Sequence, residues 1–268
     1  MSLANNWDGN QVLASLARDD AVRVTQCLSP VRLELRQRLE VADRPITKVY
    51  FPLRGIVSVV TVSSNRRHES EIGLIGYEGM TGSAIVLGAR TSPSNAFVRM
   101  EGDGLCLGAG DLIRLLDESL SLRCALLRYI HVFAVQTAQT ALANARGNIT
   151  NRLARCLLMV HDRAADDELR LTHEFLSIML DVRRAGVSVA LNDLDSRGLI
   201  STTRKSILIK SRAGLELAAD GLYGVAEREL ARLVVPPPRG ERRRGREHAR
   251  PRPRSISDRT EHPLRHKM

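Results

Sequence analysis

The chain has 268 residues, 43% of them apolar, and a net charge of +10, enough for two domains with their own cores. The apolar run IVSVVTV (56–62) suits a strand and is too short to span a bilayer, and MSLANNWDGN lacks the basic-then-apolar order of a signal peptide. A cytoplasmic protein with no membrane partner is therefore expected. Cys27, Cys106, Cys124 and Cys156 are scattered, the histidines show no metal-ligand spacing, and no Walker, dinucleotide or G-x-S-x-G motif occurs. No metal, cofactor or catalytic residue is expected, and the chain does not read as an enzyme.

Along the chain, LASLARDDAVRV and SPVRLELRQRLEV carry apolar residues at three- and four-residue spacing, which predicts helices over roughly 11–40. From Ile46 the texture changes. ITKVYFP, GIVSVVTVS, SEIGLIG, NAFVRMEG and GLCLGAG are short β-rich runs punctuated by Gly, Pro, Ser and Asn, the pattern of an antiparallel sandwich or roll ending near 110.

From Asp111 to Arg146 no Gly or Pro interrupts the chain, so one or two long helices are predicted. Within this run Leu126, Ile130, Phe133, Thr137, Thr140 and Asn144 recur at alternating spacings of four and three. That spacing predicts a coiled-coil-like seam between two copies of the chain. A further helix, NITNRLARCLLMVHDRA, follows.

Residues 171–200, LTHEFLSIMLDVRRAGVSVALNDLDSRGLI, read as two short helices joined by the turn Asp181-Val182-Arg183. Thr172 is a good N-cap with Glu174 in the first turn, and Gly198 suits the left-handed position after the second helix. Val187, Leu191 and Leu194 share one face of the second helix; Arg184, Ser188, Asn192 and Asp195 fall elsewhere. LISTTRKSILIKS then reads as two strands around a turn holding Arg204 and Lys205, and Ser211 caps a last helix. Helix, turn, helix and β-wing make a winged helix-turn-helix, whose second helix reads DNA. Arg184 is assigned to base edges, with Ser188 and Asn192 lining the same groove-facing side. Thr172, His173, Arg183, Arg204 and Lys205 are assigned to phosphates.

The positive charge is concentrated at the end of the chain. Residues 236–268 hold ten Arg and one Lys against four acids, or +7, leaving +3 for the other 235. This segment, with almost nothing to bury, is expected to be disordered, either a solvated extension or a non-specific phosphate-binding arm.

The order of elements over about 10–232, and the stretches VYFPLRGIVSVV, IGLIGYEGMTG and HEFLSIMLDVRRAGVSVALNDLDSRGLI, resemble the cyclic-AMP receptor protein / fumarate-nitrate regulator (Crp/Fnr) family of bacterial transcription factors. The resemblance implies an α+β chain: a cyclic-nucleotide-binding-like β-roll with short N-terminal helices (10–110), a dimerisation helix region (111–146), a winged helix-turn-helix (147–232) and the tail (233–268). It implies a homodimer on double-stranded DNA, its seam at Leu126, Ile130, Phe133 and Thr137, with RNA polymerase as a further candidate partner.

The same resemblance places an effector pocket at Gly76, Glu78, Gly79, Gly82, Ser83 and Asn95. Ser83 stands where cyclic-AMP-binding members carry Glu, and Ser94-Asn95 where they carry an Arg-containing pair. The phosphodiester would lack its charge partner and the ribose its acceptor, so the effector is unknown and not cyclic AMP. In the reading head Arg184 matches the family's first base-contacting Arg, while Ala185 and Val189 replace its Glu and second Arg. Two rival readings remain: a general nucleic-acid binder acting through the tail, and a sensing module without specific DNA recognition.

Overall fold

The structure, a computed structural model, describes residues 9–164, 166–203 and 206–234. The expected tail lies outside these residues, except for Leu233 and Val234, as do Arg204 and Lys205 in the wing. Two helices, α1 (Gln11–Ala14) and α2 (Arg18–Cys27), open the fold. The expected second N-terminal helix is instead two strands, β1 (Ser29–Leu33) and β2 (Arg38–Glu40). Val31 and Leu33 alternate with Arg32 and Glu34, and this period of two prevails over the weaker helical spacing because the neighbouring sheet offers β1 a partner. Arg36 turns the chain between them with φ +67°.

The remaining strands of the roll are β3 (Lys48–Pro52), β4 (Ile56–Val62), β5 (Glu69–Ile75), β6 (Ser94–Met100) and β7 (Gly102–Gly108), with the short helix α3 (Ser83–Val86) between β5 and β6. They form two antiparallel sheets ordered β1-β7-β3 and β2-β6-β4-β5. Leu33 from the first sheet packs with Val57, Ile75, Ala96 and Val98 from the second to fill the space between them.

The Gly-free run is broken at Ser119, whose side chain caps the second piece: α4 (Ala109–Glu118) starts two residues ahead of the run, and the 27-residue α5 (Leu120–Arg146) ends with it. Leu126 is 1% exposed, in a core that also holds residues of β3, α3 and α4, with Ile130 and Phe133 packed against that core. Of the expected intersubunit seam, Leu126 is enclosed by its own chain, whereas Ile130, Phe133 and Thr137 are half-buried, and Thr137 bonds to the Phe133 carbonyl of its own helix. Spacing identifies a helix face but not what covers it. Here β5 and the loop after it supply the cover through glycines: a side chain at Gly73 would collide with Phe133 and Gln136, and one at Gly79 with Tyr129.

Beyond α6 (Ile149–His161) lie β8 (Glu168–Leu169), α7 (His173–Leu180), α8 (Arg184–Ser196), β9 (Ile200–Thr202), β10 (Ile207–Ile209) and α9 (Arg212–Ala218). β8 completes a wing sheet ordered β8-β10-β9. A final helix, α10 (Val225–Leu233), packs back on α5, and Val234 is buried in the core shared by the roll and α5. Among the described residues no helix is long and apolar enough to cross a membrane.

Candidate nucleic-acid interface

The helix-turn-helix is built on an apolar core. Leu176 and Leu180 of α7 and Val187, Ala190, Leu191 and Leu194 of α8 are buried with Leu153, Leu157 and Leu158 of α6. Thr172 caps α7 by accepting from the Phe175 N–H at 3.1 Å. Asp181 takes the left-handed conformation (φ 48°, ψ 51°), and the Val182 N–H returns to the Ser177 carbonyl at 3.1 Å, so the chain reverses between the helices. Arg152 of α6 donates to the Leu180 carbonyl at the end of α7. Gly186 permits close approach: a Cβ there would lie 3.2 Å from Ile149 of α6.

Packing that face leaves the opposite side of α8 in solvent. Arg183, Arg184, Ala185, Val189 and Asn192 are exposed, and Ser188 is half-buried. Arg184 lies 3.3 Å from Glu174 of α7, both side chains more than half exposed, so the guanidinium rests on a weak, screened partner. Ser188 is engaged locally: its hydroxyl meets His173 Nδ1 at 3.2 Å and the Arg184 carbonyl at 3.1 Å. Thr172 and His173 stand exposed at the start of α7 on this same side, so the described members of the expected set come together. Asp195 pins the end of α8 to the wing, accepting from the Thr202 N–H at 3.0 Å and its hydroxyl at 2.8 Å. The Thr202 hydroxyl and N–H hold this carboxyl below its usual range.

The expected effector-pocket residues are engaged in separate contacts within the fold. Glu78 forms a buried ion pair with Arg163, at the end of α6, at 2.7 Å, and also accepts from the Gly76 N–H. Gly79 admits the Tyr129 ring, the Gly82 N–H donates to Glu40 at 2.6 Å, and Ser83 opens α3. Asn95 accepts from the Ala42 N–H at 2.9 Å. These contacts are internal to the roll, and Val49, Met80 and Ile85 are buried in its core.

A cavity of about 260 Å³ lies elsewhere, where roll, α5, α10 and the reading head meet, and of the expected effector residues only Glu78 reaches it. Its walls include Tyr77, Tyr129, Phe133, Arg163, Arg212 and Tyr223. Arg212 pairs with Asp162 at 2.8 Å, and the Tyr223 hydroxyl donates to the same carboxylate at 2.6 Å. Residues from 78 and 163 meet here across 85 positions of chain, a coincidence that carries no local sequence signal.

Residues 151–218 match the family model of the Crp-like helix-turn-helix domain. Beyond the reading head, the chain has the fold of the Crp/Fnr transcriptional regulators. It is similar to a Crp/Fnr-family regulator from Eubacterium rectale ATCC 33656 (14% identity, TM-score 0.62, covering 80% of this chain and 100% of that one). It is also similar to FixK2 from Bradyrhizobium japonicum (16%, 0.61, 71% and 96%) and to a CRP-family transcriptional regulator from Thermus thermophilus (19%, 0.59, 71% and 97%). No curated protein matches the chain by sequence.

Proposed function

We propose that this chain is a homodimeric, sequence-specific, DNA-binding transcriptional regulator of the bacterial cytoplasm, without catalytic activity, whose sensor roll responds to something other than cyclic AMP. The observation that carries the DNA reading is the exposed face of α8, with Arg184 at its start, held rigidly by α6, by the Asp181 turn and by the Asp195–Thr202 tie to the wing. Arg184 leaves Glu174 to reach a base edge, while Arg183, Thr172 and His173, with Arg204 and Lys205 of the wing, hold phosphates.

Dimerisation uses the outer face of α5. Leu120, Cys124, Leu127, His131, Ala134, Ala138, Ala141 and Ala145 are all exposed and recur at 4-3-4-3-4-3-4 spacing, a seam of large residues narrowing to small ones. In such a seam, like positions of two parallel helices face each other, which brings Cys124 opposite its counterpart. Mild oxidation should therefore yield a covalent dimer that Cys124→Ser abolishes. Leu127→Glu with Ala134→Glu should sediment as a folded monomer; a double variant that remains dimeric refutes this seam.

Selection on randomised DNA tests the reading head. With α8 helices of a symmetric dimer in successive major grooves, half-sites should lie about 10–10.5 base pairs apart. Arg184→Ala should relax preference at one base pair per half-site. Arg183→Ala should keep the motif and lower the salt slope by about one. Identical motifs from both variants would remove Arg184 from base readout. Calorimetric titration with cyclic AMP should show no saturable micromolar binding.

A further inference from the structure

One strongly exposed side chain of the reading helix is apolar. Val189 is 71% exposed, although Val187, Ala190, Leu191 and Leu194 of α8 face inward, and Ala185, one turn earlier, is exposed beside it. On a helical projection the buried residues Val187, Ala190, Leu191 and Leu194 define one side, and Ala185, Asn192 and Val189 lie opposite its centre. Ser188 sits nearer the flank, where His173 engages it. The part of α8 that advances deepest into a groove is therefore a small patch of methyl groups, flanked by Arg183 and Arg184 at its start and by Asn192 one turn on. The nearest acid along it, Asp193, is turned to Arg197 at 3.5 Å.

We propose that Ala185 and Val189 recognise the C5-methyl group of a thymine in the major groove of each half-site. This rests on α8 being the base-reading helix. The chemistry follows from what the groove offers. A guanine presents acceptors that suit Arg184, whereas of the four bases thymine alone presents a methyl group there, and an apolar side chain is its natural contact. Exposed Val189 has no donor or acceptor to offer a polar edge, and placing it against one would leave the base's hydrogen-bonding groups unpaired. The arginines at the start of the helix favour a polyanion over an apolar protein surface as occupant. From Arg184 to Val189 the helix rises about 7.5 Å, or roughly two base-pair steps, so the thymine should lie about two pairs from the base that Arg184 reads.

The test uses the full-length protein and a duplex carrying its selected motif, with each thymine replaced in turn by deoxyuridine, which removes the methyl group alone. One thymine in each half-site should lose about fourfold in affinity on replacement, the loss for one buried methyl-sized group, and other thymines much less. Val189→Ala, a change at an exposed position that leaves the fold intact, should weaken binding to the thymine duplex and abolish most of the difference between thymine and deoxyuridine there. Val189→Ala with the full deoxyuridine penalty retained, or no thymine sensitive to replacement, overturns the assignment while leaving the reading head in place, and hands the exposed valine to a protein contact. A chain that selects no motif at all overturns the reading head and this assignment together.

Discussion

Removing the charge from Glu78 separates two readings of that residue. As an effector-pocket carboxylate it would be dispensable for folding. In the structure its side chain and that of Arg163 are 7% and 6% exposed, with contacts of 2.7 and 2.8 Å, and the pair joins the loop after β5 to the end of α6. Glu78→Gln leaves the Arg163 guanidinium buried, with the carbonyls of Met159 and Leu74 as acceptors and the charges of Asp162 and Glu227 nearby, but without the carboxylate that pairs with it directly. Breaking a buried pair from one side costs about 3–5 kcal/mol, whereas replacing both members by neutral groups is often close to neutral. Urea unfolding at pH 7 should therefore show Glu78→Gln destabilised by about 3 kcal/mol, Arg163→Met by a similar amount, and the double variant by far less than their sum. The coupling, of order 2 kcal/mol or more, is the diagnostic quantity. A cost below about 1 kcal/mol for Glu78→Gln, or additive effects, would refute the pair as a structural tie between the roll and the reading head.

Burial pushes the Glu71 carboxyl up to about 7, against the hydrogen bond from Ser58 and the charges of Arg99, Arg155 and Arg163, which pull it down. The folded state holds this proton more tightly than the unfolded chain. Its stabilisation is therefore full below about pH 4.5 and is lost as pH rises to 7, a difference of about 3 kcal/mol. Glu71→Gln should match wild type near pH 4.5 and exceed it by up to about 3 kcal/mol at pH 8; urea midpoints showing a pH-independent gap would contradict this. At Gly79 a Cβ would lie 2.2 Å from the hydroxyl of buried Tyr129, so Gly79→Ala should cost about 1–3 kcal/mol, read as a lowered Tm. The left-handed Asp181 predicts that Asp181→Val lowers Tm, with a cost of about 1–2 kcal/mol, while Asp181→Gly does not; equal losses would show that the Asp side chain rather than the backbone matters there.

The reading head was legible because its signals are local. The Thr172 cap, the αL-tolerant Asp181, Gly198 with φ +69°, the Ser211 cap and the apolar face Val187–Leu191–Leu194 each act within a few residues. Local patterns therefore sufficed to place two helices, a turn and most of a wing. Where two periods competed, at residues 29–40, only pairing of β1 with β7 decided for strand. The seam shows the same limit on α5. Two faces both repeat at four and three, one through Leu126 and Ile130, the other through Cys124 and Leu127. Periodicity cannot rank them, because burial depends on Gly73 and Gly79 being presented to one face while the other stays exposed among the described residues. The pairing of Glu78 with Arg163, and the return of α10 to α5, likewise depend on chain segments far apart in sequence. Local chemistry determined which elements form and which residues could touch DNA; long-range packing decided which faces stay free to do so.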